Sequence, residues 1–288
     1  MNFAVIGGDM RQAKLAELLH EDGHTVNAFA VDKLKIEKVT RREKLSEAIA
    51  DADCIVLPLP ATSSEGVINT PFSGMILTAR QVFSLVSPGQ TVCAGRVDAG
   101  LKELAAAVGA KLYDYFAREE LTVANAASTA EGAVQIIMEE TPRTLLGANC
   151  LIIGYGRIGK ILAHRLNAMG AKVTVSARKC SDFAWIKAFG YNTENSEKLD
   201  GKLSGYDVII NTVPAKILDE RRLAQLSKRC LCLDLASKPG GIDFQAASRL
   251  GVHAVWALSL PGEVAPETAG MCIKDTIYNI LREKEVEI

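Results

Sequence analysis

The sequence lacks the features that mark a membrane, secreted or nucleic-acid-binding protein. Lysine and arginine (33 residues) nearly balance aspartate and glutamate (34), so the formal net charge is −1. This balance gives no electrostatic reason to expect nucleic acid or a membrane surface as a partner. No apolar run reaches the ~18 residues of a membrane span. The first residues follow a strand pattern and lack the basic flank, apolar segment and cleavage site of a signal peptide. We therefore expect a cytoplasmic globular protein.

Residues that bind metals or transfer protons are also scarce. The seven cysteines are scattered and odd in number, which fits no disulfide framework. Cys230 and Cys232 are the one close pair, and no second pair or nearby histidine completes a zinc site, so we expect no metal. The chain has four histidines. None lies in the late segment ALSLPGEVAPETAG, where a 2-hydroxy-acid dehydrogenase would place its catalytic histidine. This argues against simple hydroxy-acid oxidation, but not against hydride transfer.

What the chain does have is a pattern of short Val-, Ile- and Leu-rich runs that alternate with helical segments. This pattern is typical of a parallel sheet covered on both faces, and it occurs twice. The segment DADCIVLPLPA of the first half parallels GYDVIINTVPA of the second. The predicted strands are 3–6, 25–29, 54–57, 91–94, 150–153, 172–176, 208–212 and 230–235. The predicted fold class is α/β, with two doubly wound Rossmann-like domains that contain parallel sheets and are joined by a linking helix.

Four segments follow from this pattern. Residues 1–128 form a flavodoxin- or Rossmann-like substrate domain, and residues 143–265 form an NADP-binding Rossmann domain. Residues 129–142 form the linking helix, because Ser128 to Glu131 has a capping-box pattern and Pro142 ends the helical run. An ordinary surface helix of the first domain is the alternative. Residues 266–288 form a helix that we expect to cross back to the first domain.

The strongest motif lies between a buried strand and a helix in CLIIGYGRIGKILAHRL. The first glycine permits a tight turn, the second lets the backbone approach a pyrophosphate, and the third lets the helix pack on the strand. The helix N-terminus presents N–H groups to the anion. The predicted cofactor-binding residues of this loop are Gly154, Tyr155, Gly156, Arg157, Ile158 and Gly159.

The next strand indicates which dinucleotide binds. NAD-selective sites usually end this strand with an acidic residue that binds the ribose hydroxyls. Here the stretch contains Ser176, Arg178 and Lys179, which suit a 2′-phosphate and favour NADP. A solvated strand end is the alternative. Thr212, Val213 and Pro214 follow another strand and are expected to line the cofactor.

Two further loops carry candidate residues. At the end of a later strand, we interpret Asp234 as a buried capping residue and Lys238 as the better functional candidate. The opening VIGGDMRQ resembles a dinucleotide loop but lacks its third glycine. We interpret it as the equivalent loop of the other domain, with Asp9 and Arg11 at the edge of the first sheet.

Three segments together resemble the family of dipicolinate synthase A subunits over nearly the whole chain. They are VIGGDMRQAKLAELL, AEGAVQIIMEETPRTLLGANCLIIGYGRIGKILA and LPGEVAPETAG. The resemblance implies formation of dipicolinate from a dihydrodipicolinate-type precursor, with NADP as hydride acceptor, in the mother cell of a sporulating bacterium. It also implies that the partner is a smaller, flavoprotein-like B subunit. The segments NTVPA and LDLASKPGG are similar to those of alanine dehydrogenase and methylene-tetrahydrofolate dehydrogenase.

The chemistry implied by this resemblance fits the missing histidine. Oxidation of a dihydropyridine gains aromatic stabilisation, so no strongly perturbed base is required. The two carboxylates of such a substrate call for cations and helix N-termini. Asp9 and Lys238 are the candidate catalytic residues. The candidate substrate-binding residues are Gly8, Arg11, Arg96, Arg118, Asn125, Ser128 and Thr129.

Other interpretations stay open at this point. The same site would serve an amino- or imino-acid dehydrogenase. The chain would also fit a non-catalytic NADP-binding scaffold for a flavoprotein-like partner. The sequence leaves a homo-oligomer open as well.

Overall fold

The structure is a computed structural model that describes residues 1–33, 36, 38–64 and 66–284. It divides into two compact units. The first contains Met1–Ala124 and Ala265–Ile288, and the second contains Asn125–Val264. Each unit has a six-stranded parallel sheet with helices on its faces. The predicted α/β class with two Rossmann-like domains is confirmed.

The first unit contains a sheet in the order β3-β2-β1-β4-β7-β8. Its strands are β1 (Asn2–Ile6), β2 (Thr25–Phe29), β3 (Thr40–Arg41), β4 (Cys54–Val56), β7 (Thr91–Ala94) and β8 (Lys111–Asp114). Its helices are α1 (Met10–Glu21), α2 (Leu45–Ile49), α3 (Ala79–Phe83), α4 (Ala99–Val108) and the C-terminal α11 (Pro266–Glu283). A small antiparallel hairpin, β5 (Thr62–Ser64) and β6 (Val67–Ile68), follows β4. The sequence analysis did not predict this hairpin.

Alternation along β1 divides the core of the first unit between the two faces of the sheet. Ala4 and Ile6 pack with residues of α2, α3 and α4. Phe3 and Val5 pack with α1 and α11 on the other side. Helix α11 comes very close to α1, since a Cβ on Gly270 would lie 2.9 Å from the carbonyl oxygen of Arg11. Glycine at this position therefore allows the C-terminal helix to belong to the first unit.

The second unit repeats this strand arrangement. Its sheet has the order β11-β10-β9-β12-β13-β14, in which every pairing is parallel. The strands are β9 (Asn149–Ile153), β10 (Lys172–Ala177), β11 (Asn192–Asn195), β12 (Val208–Asn211), β13 (Leu231–Asp234) and β14 (His253–Trp256). The helices are α6 (Arg157–Ala168), α7 (Cys180–Ala188), α8 (Glu220–Leu223), α9 (Phe244–Leu250) and α10 (Leu260–Val264). Because the strands are parallel, their carboxyl ends meet at one edge, where open α/β sheets bind ligands.

One helix differs from its prediction. Helix α5 runs from Glu119 to Glu140, so it begins ten residues before the predicted linking helix. Ser128 lies buried in its middle, and the predicted capping box at Ser128 is therefore wrong. The acidic residues Glu119 and Glu120 occupy the first turn, where they interact favourably with the helix dipole. Helix-forming residues continue from there, so a capping pattern at Ser128 does not start a new helix.

Candidate active site

The three glycines of the GYGRIG loop have different structural roles. Gly154 adopts φ +103° directly after β9, and a Cβ there would lie 2.5 Å from Thr212 Oγ1. A Cβ on Gly159 would lie 2.2 Å from the carbonyl oxygen of Gly154, so α6 can pack on the loop because Gly159 has no side chain. Gly156 caps α6 with an ordinary φ of −80°, and no described atom lies within 4 Å of its Cβ position. The protein's own packing thus does not require Gly156, whereas a pyrophosphate at the helix N-terminus would occupy that open space.

The other residues of this loop point in different directions. Tyr155 is buried in the core of the second unit, with the Lys160 ammonium 5.4 Å from its ring centroid. Burial raises the pKa of the Tyr155 hydroxyl. Ile158 also packs against this core, while Arg157 opens α6 with an exposed side chain. Tyr155 and Ile158 therefore serve a dinucleotide through the backbone conformation of the loop.

The carboxyl end of β10 carries no acidic residue. The strand ends at Ala177, and the exposed residues Arg178 and Lys179 follow before α7 begins. Ser176 is fully buried, and its hydroxyl accepts a hydrogen bond of 3.0 Å from Ser196 Oγ. The predicted contact of Ser176 with the cofactor is wrong, because the side chain of this strand residue projects into the packed face of the sheet.

The loop after β12 is held in place by its own hydrogen bonds. Thr212 Oγ1 donates to the Ile153 carbonyl at 2.9 Å, which ties the loop to the strand that carries the glycine motif. Asn211 Nδ2 donates to the Val213 carbonyl, and the Val213 N–H donates to Asn211 Oδ1. Pro214 is exposed. The predicted cofactor-lining residues thus belong to a well-ordered loop at the carboxyl edge of the sheet.

Asp234 shapes the neighbouring loop. Its carboxylate is fully buried and accepts hydrogen bonds from Asn211 Nδ2 and from the backbone N–H groups of Ala236, Gly241 and Ile242. Its interpretation as a buried capping residue is confirmed. The loop that it organises presents Lys238 as an exposed side chain.

The VIGGDMRQ loop of the first unit contains an ion pair. Asp9 caps α1 by accepting the Arg11 N–H at 3.0 Å, and it also accepts from Arg11 Nε at 2.9 Å and Nη2 at 2.7 Å. Arg11 Nη2 donates in addition to the Leu59 carbonyl at 2.6 Å. Arg11 is only 7% exposed, and its Nη1 has no hydrogen-bond partner among the described residues. The two residues, predicted for separate roles, therefore act as one unit that leaves one guanidinium nitrogen available.

Gln12 is a site-supporting residue that the sequence analysis missed. It is 1% exposed, and its Nε2 donates to the Leu57 carbonyl and to the Tyr115 hydroxyl. Tyr115 is fully buried, and its hydroxyl donates to the same Leu57 carbonyl at 2.8 Å. Burial raises the pKa of Tyr115, so the hydroxyl remains a donor. A Cβ on Gly8 (φ +94°) would lie 2.4 Å from Gln12 Cγ, which explains the glycine. The available signal was an amide side chain beside the GGD turn.

The two other predicted cations of this unit differ in their surroundings. Arg96 is exposed, and its guanidinium has no partner among the described residues. Arg118 donates to both carboxylate oxygens of Glu283 at 2.6 Å and to Glu120 at 2.9 Å. These carboxylates, Glu283 first, raise the pKa of Arg118. The predicted role of Arg118 in substrate binding is not supported, because two carboxylates already neutralise its charge.

The polar residues predicted to precede the linking helix lie inside α5. Ser128 is buried, and Thr129 Oγ1 donates to the Asn125 carbonyl one turn earlier at 2.7 Å. Neither hydroxyl is therefore presented at a helix N-terminus. Asn125 is half-buried. Of these three predicted substrate-binding residues, Asn125 remains as a candidate.

Two other kinds of site were sought among the described residues. No group of three or more histidine, cysteine, aspartate or glutamate side chains is arranged to hold a metal ion. No helix in that part of the chain has the length and apolar character needed to cross a membrane.

A glycine loop that meets a helix N-terminus at the carboxyl edge of a parallel sheet defines a nicotinamide-dinucleotide-binding oxidoreductase. Residues 124–236 match the family of the D-isomer specific 2-hydroxyacid dehydrogenase NAD-binding domain. Residues 2–116 match the family of the N-terminal domain of the dipicolinate synthase A subunit.

More specific relatives cover the whole chain. The chain is 33% identical over 291 residues to the dipicolinate synthase A subunit of Bacillus subtilis (strain 168), covering 100% of this chain and 98% of the relative. A crystal structure of the A chain of dipicolinate synthase from Bacillus subtilis superposes with a TM-score of 0.86 at 32% identity, covering 99% of this chain and 97% of the other. The chain belongs to the family of dipicolinate synthase A subunits, and the resemblance seen in the sequence is confirmed. An L-alanine dehydrogenase shares the fold at 16% identity, with a TM-score of 0.65 over 99% of this chain and 90% of the other.

Proposed function

We propose that this chain is the NADP-dependent component of an enzyme that forms dipicolinate from a dihydrodipicolinate-type precursor. The observation that carries the proposal is the open space at Gly156, beside a helix N-terminus in a chain of this family. NADP, when bound, supplies the hydride acceptor. The precursor loses a hydride and a proton and becomes an aromatic pyridine dicarboxylate, so the two electrons leave with the hydride. The proton passes to a base or to water.

The preference for NADP over NAD is part of the proposal. Arg178 and Lys179 are exposed directly after β10, where an NAD-selective site would carry an acidic residue. A guanidinium binds phosphate in a forked, charge-assisted geometry. The two side chains would therefore hold the 2′-phosphate, while Gly154, Gly156 and the N-terminus of α6 would hold the pyrophosphate. Thr212, Val213 and Pro214 would line the rest of the cofactor.

The substrate would bind at the carboxyl edge of the first sheet. Arg11 offers its Nη1 there, and Gly8 and the N-terminus of α1 add backbone N–H groups. We now propose Asp9 as a positioning residue, because its carboxylate holds the Arg11 guanidinium. Lys238, exposed on the loop after β13, stays our candidate catalytic residue.

The biological setting is proposed from the family alone. The chain would work in the cytoplasm of the mother cell of a sporulating bacterium, together with a smaller flavoprotein-like B subunit. The relative's description as the A subunit of a synthase supports the existence of a second type of chain in the enzyme.

NADP reduction by the purified chain tests the proposal. The assay uses freshly prepared dihydrodipicolinate, with and without the flavoprotein-like partner, and follows formation of NADPH and of dipicolinate. We expect both products to form in equal amounts. Turnover of alanine or of a hydroxy acid alone would refute the proposal. NADP binding without turnover, even with the partner present, would favour a non-catalytic scaffold.

A further inference from the structure

A second feature of the first unit is a cleft that the sequence analysis did not foresee. It is a cavity of about 450 Å³ between the loops that follow β4 and β7, at the carboxyl edge of the first sheet. It is lined by Pro60, Thr62, Ser63, Ser64, Arg96, Val97 and Asp98. The three hydroxyl residues belong to the β5 strand of the hairpin inserted after β4.

The two loops that form this cleft are fastened side by side. The Leu57 N–H donates to the Cys93 carbonyl at 2.8 Å, and the Gly95 N–H donates to the Pro58 carbonyl at 3.0 Å. The Ala61 N–H then donates to the Gly95 carbonyl at 2.7 Å. A Cβ on Gly95 would lie 2.8 Å from side-chain atoms of Leu59 and Tyr115, so no other residue fits there. The walls of the cleft are therefore fixed before any ligand arrives.

Arg96 occupies this cleft in a backbone conformation that suits glycine better. Its φ is +61°, in the left-handed region that costs a residue with a Cβ free energy. The Asp114 carboxylate holds this conformation by accepting the N–H groups of Arg96 at 3.0 Å and Val97 at 2.9 Å. The Arg96 guanidinium itself has no partner among the described residues. The conformation thus presents a free cation at the cleft, and nothing in the packing of the unit requires an arginine there.

The other polar groups of the cleft leave two hydroxyls available. Thr62 Oγ1 donates to Asp98 Oδ2 at 3.3 Å, and Asp98 Oδ1 accepts the Leu101 N–H at 2.9 Å. The one acidic side chain among the described lining residues is therefore already hydrogen-bonded at both oxygens. Ser63 and Ser64 are exposed, and their hydroxyls have no partner in the described part of the chain.

We propose that Arg96, Ser63 and Ser64 form the subsite for one carboxylate of the substrate. An arginine fork together with hydroxyl donors binds a planar oxyanion by charge-assisted hydrogen bonds. We assign a carboxylate because the glycine loop and the Arg178 region of the second unit already provide for the phosphates of NADP. This inference rests on the proposed function, since it assumes that the substrate is a dicarboxylate. The serines and Arg96 are then specificity-determining residues for that substrate.

Calorimetric titration of the full chain with pyridine-2,6-dicarboxylate, in the presence of NADP, tests this subsite. We expect Arg96→Gln to weaken binding by at least about ten-fold, and Ser63→Ala with Ser64→Ala to weaken it by about three- to ten-fold. Lys102→Gln is the matched control, because it removes one exposed positive charge from α4 in the same unit and should leave binding unchanged. NADP affinity should be the same in every variant. Arg96→Gly separates binding from folding, since glycine suits φ +61°: this variant should unfold at a higher temperature and still bind the dicarboxylate poorly.

The outcomes distinguish two kinds of failure. If the unmodified protein binds pyridine-2,6-dicarboxylate and forms it from the precursor, but the Arg96 and serine variants bind it equally well, the subsite is wrong and the proposed function stands. If the unmodified protein binds NADP but neither binds nor forms the dicarboxylate, the proposed function fails and the subsite fails with it. Displacement of the dicarboxylate by equimolar inorganic phosphate would overturn the assignment to a carboxylate.

Discussion

The carboxylate of Asp9 and the guanidinium of Arg11 form one ion pair across the first turn of α1, with Oδ2 and Nη2 2.7 Å apart. Arg11 also donates to the Leu59 carbonyl, so the pair joins the GGD turn to the loop after β4. Each partner orients the other, and the side chains are only 8% and 23% exposed for Arg11 and Asp9, respectively. The GGDMRQ stretch is thus a constructed loop that fixes the position of an arginine.

Removal of Arg11 should affect both substrate and stability. Arg11→Ala leaves the Asp9 carboxylate and the Leu59 carbonyl without their partner, so we expect the free energy of unfolding to fall by about 3 kcal/mol. The KM for the precursor should rise, whereas NADP affinity should not change. Urea denaturation and calorimetric titration with NADP measure the two effects. Lys14→Ala, which breaks the more exposed pair of Lys14 with Glu17, is the control and should cost less than about 1 kcal/mol. A loss of NADP affinity in Arg11→Ala would show that this loop supports the cofactor instead.

Two glycine substitutions in one loop should have opposite consequences. Gly159→Ala places a methyl group 2.2 Å from the Gly154 carbonyl oxygen, so we expect a loss of about 3 kcal/mol in stability from overpacking. Gly156→Ala meets open space at an ordinary φ and should change stability by less than about 1 kcal/mol. Its added methyl group would, however, obstruct a pyrophosphate, and NADP affinity should fall by about ten-fold or more. Thermal unfolding and NADP titration of both variants check the contrast. Equal NADP affinity of Gly156→Ala and the unmodified protein would contradict the assigned site.

Reversal of charge at Arg178 should change cofactor preference. In Arg178→Asp an exposed carboxylate replaces the proposed 2′-phosphate ligand, so we expect NADP affinity to fall by about 10- to 100-fold, with a much smaller change for NAD. Lys187→Asp makes the same change of charge at an exposed position of α7 and serves as the control. Binding constants for both dinucleotides are needed for each variant. An unchanged ratio of the two constants would rule out Arg178 as the phosphate ligand.

The contact between α1 and α11 should make stability depend on pH. The Lys274 ammonium donates to the Asp22 carboxylate at 2.6 Å and the Tyr278 hydroxyl donates at 2.8 Å, and the Lys274 hydrogen bond is the main cause that lowers the pKa of Asp22. A carboxyl group whose pKa is lower in the folded state contributes stability above its unfolded pKa of about 3.9, and this contribution is lost as the pH falls through the folded value.

Asp22→Asn tests this linkage. The variant should be less stable than the unmodified protein at neutral pH, and the difference should shrink as the pH falls below about 4. Urea denaturation at a series of pH values provides the measurement. A difference that stays constant across that range would mean that the Asp22 charge does not contribute. Asp275→Asn removes another acidic side chain of α11 and is the control.

The glycine loop and the sheets could be predicted because their signals are local. A buried run followed by GYGRIG and a helical pattern specifies strand, turn and helix within about twenty residues. The repeated order of apolar runs specifies two parallel sheets for the same reason. The end of β10 was predicted correctly to lack an acidic residue. Ser176, in contrast, needed knowledge of Ser196, which packs against it from the loop after β11.

The remaining errors come from partners that are distant in the sequence. Arg118 looked like a free cation, but its partner Glu283 lies 165 residues away. Gln12 gave no signal because Tyr115, which shares the Leu57 carbonyl with it, is 103 residues away. The capping box at Ser128 failed because the helix already continues from Glu119. In each case a pattern of a few residues carried no information about what packs against it.

The sequence by itself determined the fold class, the dinucleotide loop and the family, because each depends on residue order over short distances. The tertiary structure decided which cations are available. It pairs Arg118 with Glu283, joins Arg11 to Asp9, and leaves Arg96 without a partner among the described residues at a hydroxyl-lined cleft. The physical reason is that the charge a ligand meets depends on the net effect of all neighbouring groups, and these neighbours are brought together only when the chain folds.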